Sequence, residues 1–167
     1  AASDVYKRQL QNGVPCRILK STAKSSSLIN YLYPVDDLMI SYYDPFYNRT
    51  LFSSKRIHES SHHREYTAEY DYKTKTSYWW QKLHKGNREE VSGDSTFRAR
   101  SGKTNSIPND LKDILSTLYY LRVSPTEPIV GTYFLMDIYD DLEITSIEFH
   151  ILKKENLILE NNSESHE

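Results

Sequence analysis

Three histidines near a predicted turn form the clearest candidate for a metal site in this chain of 167 residues. His58, His62 and His63 follow the spacing His-x3-His-His, which could bring two imidazoles to one zinc ion. No paired carboxylate or cysteine pattern completes a ligand set around them, and polar residues are common in hairpin turns. The residues therefore predict no metal site, and no motif in the sequence requires a cofactor.

Candidates for acid–base or nucleophilic chemistry lie apart from one another in the sequence. The adjacent carboxylates are Asp36-Asp37, Glu89-Glu90 and Asp140-Asp141. Neighbouring residues of a strand point to opposite faces, so none of these pairs forms a catalytic dyad by itself. Ser116 lies in a helical pattern without the G-x-S-x-G setting of a nucleophile elbow, and Cys16 has only distant histidines. We predict no catalytic residues and a protein that is not an enzyme.

Aromatic residues are the best candidates for ligand binding. The chain holds 14 tyrosines, against 5 phenylalanines and 2 tryptophans. Period-two alternation over residues 65–80 predicts a strand with most of its aromatic side chains on one face. That face is predicted to carry Tyr66, Tyr70, Tyr72, Tyr78 and Trp80, with Trp79 on the other face. At the mouth of a barrel these side chains could hold a lipid or a glycan. The alternative is that they form the core of a tyrosine-rich sheet.

The charge balance argues against nucleic acid as a partner. The 21 basic and 23 acidic residues leave a formal net charge of −2, so the chain has no overall basic field. Arg98, Arg100 and Lys103 form a small basic patch that could meet anionic envelope polymers, although a solvated loop is the simpler interpretation. No apolar run reaches the roughly 18 residues that are needed to span a bilayer.

One amphipathic helix is predicted at about residues 109–122, where Asn109 is a suitable N-cap and Pro125 forbids continuation. Helical spacing predicts a buried stripe of Leu111, Ile114, Leu115, Leu118 and Leu121. A second, short helix is predicted at about residues 26–33, where Pro34 ends it. The helix residues that could reach a ligand are Tyr119, Tyr120 and Arg122.

The rest of the chain is typical of strands joined by short links. Seven or eight strands are predicted, and turn signals separate them at Asp44-Pro45, Ser60-Ser61 and Asp140-Asp141. We therefore predict a mainly β protein, an antiparallel meander that forms an open or incomplete β-barrel. Residues 10–159 are predicted to form one domain, residues 1–9 a non-native leader, and residues 160–167 a disordered tail.

Four segments in this order resemble a bacterial family of exported proteins, domain of unknown function 3108. They are residues 28–37 (LINYLYPVDD), 41–45 (SYYDP), 54–59 (SKRIHE) and 110–122 (DLKDILSTLYYLR). The resemblance implies an open, barrel-like β fold, export in Gram-negative bacteria and a periplasmic location. It implies no established activity and no catalytic residues. Relative to the family, we expect the chain to be a fragment that lacks the signal peptide and the C-terminal strands.

Three functional hypotheses follow from the residues and the resemblance. The first is a non-enzymatic binding domain for an apolar or amphipathic component of the cell envelope, such as a lipid or a glycan. Its predicted ligand-binding residues are Tyr66, Tyr70, Tyr72, Trp80, Tyr119 and Arg122. The second is an envelope assembly or scaffolding protein that contacts other envelope proteins through its surface. The third and least favoured is a hydrolase, which needs titratable groups that converge in one cleft.

Overall fold

The strands of this protein form two sheets. The computed structural model describes residues 8–11, 13–26, 34–60, 62–84, 97–124, 127 and 129–155. The first sheet holds seven strands in sequence order: β1 (Arg8–Gln11), β2 (Val14–Lys24), β3 (Asp36–Asp44), β4 (Arg49–Glu59), β5 (His62–Asp71), β6 (Thr76–His84) and β7 (Phe97–Asn105). Each strand pairs antiparallel with the next. The predicted mainly β, open antiparallel meander is confirmed.

The second sheet is small and contains a crossover. It consists of β8 (Lys112–Asp113), β9 (Tyr133–Asp140) and β10 (Glu143–His150), in the order β10-β9-β8. β9 and β10 form an antiparallel hairpin, whereas β8 pairs parallel with β9. The helix α1 (Ile114–Val123) connects β8 to β9, as parallel pairing requires. α1 also contacts β2 and β3, so it lies between the two sheets.

Turns with local hydrogen bonds join the strands of the meander. Between β3 and β4, the Asp44 carboxylate accepts the backbone N–H groups of Phe46 at 3.0 Å and Tyr47 at 3.2 Å. Asn48 closes this turn with φ of 51°, a conformation that asparagine tolerates better than most residues. The turn predicted at Asp44-Pro45 is therefore present, and the side chain of its aspartate stabilises it.

The predicted helix exists, but its start was predicted wrongly. α1 begins at Ile114, and its N-cap is Asp113 rather than Asn109. The reason is a contact distant in sequence. Lys112 and Asp113 pair with Ile138 and Tyr139 of β9, which holds their backbone extended. Leu111, predicted on the helix, is fully buried in the loop that precedes it.

The buried face of α1 also differs from the predicted leucine stripe. The buried helix residues are Ser116, Thr117 and Tyr119, whereas Leu118 is 59% exposed. Ser116 Oγ lies 2.6 Å from Ser41 Oγ of β3, so this part of the helix meets the large sheet through a polar contact. No described helix is long and apolar enough to cross a bilayer.

Other predicted boundaries fall partly outside the described residues. Arg8 and Gln9, which we assigned to a non-native leader, are the first two residues of β1. Residues 1–7 of that leader and the predicted tail, residues 160–167, lie outside the described residues. Nearly all of the short helix predicted at about residues 26–33 also lies outside them.

Candidate binding site

The predicted tyrosines of β5 lie inside the protein. Tyr66 and Tyr70 are only 1% and 6% exposed. Tyr70 Oη lies 2.9 Å from Ser53 Oγ, and its ring meets the ring of Tyr139 edge-on at 5.3 Å. Burial raises the pKa of both tyrosine hydroxyls, so they stay neutral. This arrangement corresponds to the alternative in which the tyrosines form the core of the sheet.

Tyr72 joins the same interior from the turn after β5. Its hydroxyl donates to the carbonyl oxygens of Thr50 at 2.6 Å and Leu111 at 3.1 Å. Its ring stacks with that of Tyr70 at 6.5 Å, and Arg49 stands 4.2 Å above the ring centroid. Tyr72 therefore ties β4 to the loop before α1. Together with Tyr70 and Tyr78, it also lines an open pocket of about 450 Å³ beside Arg49.

Trp80 lies on the face opposite Tyr66, and the predicted parity was wrong. In the β5–β6 hairpin, Ala68 pairs with Trp79 and Thr67 pairs with Trp80. Directly paired residues share a face, so Trp79 joins Tyr66 and Ala68 on the inner face. The prediction counted alternation through the turn at residues 72–75 as if the strand were continuous. That turn reverses the parity of β6.

Tyr119 belongs to a second cluster, formed by α1 with β2 and β3. It is 6% exposed and packs with Leu19 and with Tyr43, whose ring lies edge-on at 5.3 Å. The guanidinium of Arg17 donates to the Tyr119 hydroxyl. Arg122 is exposed in the last turn of the helix. The six predicted ligand-binding residues are thus divided between two interior clusters and the surface.

A polar network lies between the clusters, centred on Asp113. Its carboxylate accepts the backbone N–H of Ser116 at 2.8 Å and the hydroxyl of Thr50 at 3.4 Å. In return, the Asp113 N–H donates to Thr50 Oγ1 at 3.0 Å. Desolvation raises the pKa of the Asp113 carboxyl, while the bonds from Ser116 and Ser41 oppose that rise. These bonds satisfy buried polar groups and fix the start of α1 on β4.

The histidines of the predicted turn meet across β4 and β5. His58 pairs with His63, and their rings stack at a centroid distance of 4.7 Å. His63 Nε2 lies 3.2 Å from the carbonyl oxygen of Ser60. Within the described parts of the chain, no three histidine, cysteine or carboxylate side chains are grouped as metal ligands.

A groove of about 650 Å³ follows β9 beside the C-terminal half of α1. Its lining is mainly apolar and comes from α1, from the segment before β9, and from the β9–β10 hairpin. The apolar lining residues are Tyr120, Leu121, Ile129, Tyr133, Phe134, Leu135, Met136, Phe149 and Ile151. Several of them face solvent, including Ile129, Tyr133 and Leu135, each more than 60% exposed. Binding surfaces commonly have an exposed apolar lining of this kind.

The ionisable side chains of the groove have partners within the chain. Lys112, which is nearly buried, donates to the carbonyl of Asp110 at 2.7 Å and lies 3.7 Å from its carboxylate. Glu127 pairs with Lys154 at 2.5 Å. His150 contacts Glu148 at 2.5 Å and stacks on Tyr133. Desolvation lowers the pKa of Lys112. Paired charges around an apolar lining suit binding and orientation rather than proton transfer.

Among the apolar residues of this groove, only Tyr120 was predicted to reach a ligand, and Leu121 was predicted to belong to the buried stripe of the helix. A signal for the rest was present in β9, where residues 133–136 (YFLM) are apolar at every position. In a half-exposed hairpin, strict alternation would make every second residue polar. An unbroken apolar run therefore indicates apolar side chains on both faces of β9, including the face that is exposed to solvent.

Comparison with known proteins gives a family without an assigned activity. No curated protein and no solved structure is similar enough to this chain to be matched. A family model described as "Protein of unknown function (DUF3108)" matches residues 2–165. The resemblance found in the four sequence segments is thereby confirmed, and the chain belongs to this family.

Proposed function

We propose that the protein is a non-enzymatic binding domain for an apolar or amphipathic component of the cell envelope. The observation that carries the proposal is the groove beside β9, with its exposed apolar lining and paired charges. This site replaces the inner face of β5, where Tyr66 is buried and Tyr70 packs against the protein's own side chains. A lipid or an apolar segment of a protein suits this lining better than a glycan, which needs many unpaired polar partners. The resemblance to exported proteins supports a periplasmic location.

The proposal can be tested with a small apolar probe. We expect the dye anilinonaphthalenesulfonate to bind the wild-type protein with increased fluorescence, and lauric acid to displace it. Leu135→Glu should weaken dye binding roughly tenfold, because a charge would enter the apolar lining. Leu118→Glu is the matched control, since Leu118 is similarly exposed but does not line the groove. Equal dye affinity of the two variants would contradict the proposed site.

A second candidate is envelope assembly through surface contacts. It is favoured by apolar side chains that are exposed beyond the groove, at Leu118, Val123 and Leu152. Cross-linking in a periplasmic extract would test it. Partners captured equally by wild type and by Leu135→Glu, but lost in Leu118→Glu, would favour this function over groove binding.

A further inference from the structure

β9 has an edge that strand pairing covers only in part. β10 pairs with one edge of β9 along its whole length, from Tyr133 to Asp140. On the other edge, β8 pairs only with Ile138 and Tyr139. Among the described residues, no strand pairs with the remaining part of that edge, residues 133–137. The sheet therefore presents five residues at which a further strand could add.

The groove runs along this edge rather than over one face of the sheet. Its lining includes Tyr133 and Leu135, and also Phe134 and Met136. Alternate residues of a strand point to opposite faces, so these two pairs lie on different faces of β9. Because both pairs line one groove, together with Phe149 and His150 of β10, the groove passes around an edge or an end of the strand. An occupant of the groove would thus lie beside the β9 backbone.

The backbone groups on this edge can be assigned from the hairpin. Ile151 N–H donates to the carbonyl of Thr132 at 3.0 Å, so this carbonyl points toward the β10 side, whereas the Thr132 N–H donates to the carbonyl of Ile129 at 3.2 Å. In an antiparallel pair, this direction alternates from residue to residue. The N–H and carbonyl groups of Tyr133 and Leu135 therefore point toward the open edge. Those of Asp137 and Tyr139 point to the same side, where Lys112 of β8 pairs with Ile138 between them.

We propose that the occupant of the groove is an extended peptide segment of a partner protein, which adds to β9 as a strand. Its backbone pairs with Tyr133 and Leu135, and its apolar side chains pack in the groove. The inference rests on the proposed function, because it names the ligand class of the same groove. Strand addition gives affinity through main-chain hydrogen bonds and specificity through side-chain pockets.

The strand pairing already present supports this partner over a lipid. β8 and β9 form a short interface, and the added strand continues it along the same edge of β9. Five residues extend over about 16 Å, a length typical of short strands in globular proteins. A lipid tail would fill the apolar lining but would leave the N–H and carbonyl groups of the edge without protein partners.

The test compares two peptides that differ only in their backbone. The probe is the acetylated and amidated peptide Lys-Val-Thr-Val-Thr-Val-Lys. The control carries N-methyl groups at alternate residues, which remove backbone donors and keep the side chains. By isothermal titration calorimetry on the whole chain, we expect the N-methylated peptide to bind about tenfold to a hundredfold more weakly, since two or three hydrogen bonds are lost.

Two variants of the protein complete the test. Leu135→Pro removes the central N–H of the open edge, where proline is tolerated, and should weaken binding of the unmethylated peptide. Leu135→Thr keeps that N–H and should bind more strongly than Leu135→Pro. If Leu135→Pro does not fold, the two peptides still test strand addition on the wild-type protein.

The possible outcomes separate this inference from the proposed function. Equal binding of both peptides, or dye binding without peptide binding, would overturn strand addition and leave a groove for apolar ligands. Failure of the dye and of both peptides to bind would overturn both proposals. Selective binding of the unmethylated peptide, with loss in Leu135→Pro, would support strand addition.

Discussion

The large sheet keeps serine, threonine and lysine side chains in its interior, whereas the small sheet leaves tyrosine and leucine side chains in contact with solvent. Ser41, Thr50 and Lys55 are all under 10% exposed. In β9, by contrast, Tyr133 and Leu135 are more than 60% exposed. The large sheet therefore buries polar side chains and the small sheet exposes apolar ones, and each is a departure from the usual distribution.

The difference indicates separate roles for the two sheets. Buried polar groups need partners with good geometry, and the network around Asp113 supplies them for Thr50 and for the backbone N–H of Ser116. Exposed apolar side chains contribute to stability only when another surface covers them and removes them from water. We infer that the large sheet provides a rigid support and that the small sheet provides the binding surface. Three pairs of substitutions test this comparison.

The largest effect should come from shortening one leucine near each sheet. Leu111 is fully buried against Tyr70 and Tyr139, so Leu111→Ala should lower the free energy of unfolding by about 2–5 kcal/mol. Leu135 is exposed, so Leu135→Ala should change it by less than about 0.5 kcal/mol. Urea unfolding followed by circular dichroism measures both. Similar losses in the two variants would show that the small sheet also serves as core.

A smaller effect should separate two neighbouring aspartates at the β9–β10 turn. Asp140 pairs with Lys55, which is buried in β4, whereas Asp141 pairs with Arg64 near the surface, at 2.7 Å. Asp140→Asn should cost about 2 kcal/mol, because it leaves a buried ammonium group without its counter-ion. Asp141→Asn should cost less than about 1 kcal/mol.

Asparagine suits both positions in this pair of variants. Asp141 has φ of 48°, which asparagine tolerates. Backbone strain therefore does not add to the difference in stability between the two variants. Lys55→Met together with Asp140→Asn should recover part of the stability that Asp140→Asn loses, since no charge then stays buried. If both single variants lost the same free energy of unfolding in urea, the buried ion pair would not be what joins the two sheets.

The features of the fold that could be predicted from the sequence depend on residues that are close together in the chain. Alternation along β5 and the turn residue Asp44 are local signals, and the meander followed from them. The start of α1 depends on the pairing of Lys112 with Ile138, which lies 26 positions further along the chain. Local helix propensity carries no information about a contact at that distance. The face of Trp80 depends on the register across a turn. Alternation within one strand cannot determine that register.

The candidate site was harder to predict than the fold for a physical reason. Tyrosine fits both a core and a binding surface, so the tyrosines of β5 could not be assigned to either from their types alone. The groove forms where β8 ends its pairing with β9, which is a property of the edge of an assembled sheet. Of the helix residues predicted to reach a ligand, Tyr120 lies there.

The smallest effect should come from Asp113, and it should depend on pH. Burial raises the pKa of this carboxyl above the usual 3.8, so the folded state binds the proton more tightly than the unfolded chain does. Its contribution to stability is therefore full below about pH 3.8 and is lost as the pH rises through the folded pKa. Asparagine is neutral and can still accept the N–H of Ser116. Asp113→Asn should thus become more stable relative to wild type as the pH rises.

Asp71 provides a control in which the sign is reversed. Hydrogen bonds from Thr74 and Lys73 lower the pKa of this exposed carboxyl in the turn after β5. Its contribution is present above about pH 3.8 and is lost as the pH falls through the folded pKa. Asp71→Asn should therefore become less stable relative to wild type as the pH rises. Urea unfolding between about pH 3 and pH 7 measures both differences. The same trend in both variants would mean that burial does not govern the ionisation of Asp113, and the interior of the large sheet would then be more hydrated than its hydrogen bonds indicate.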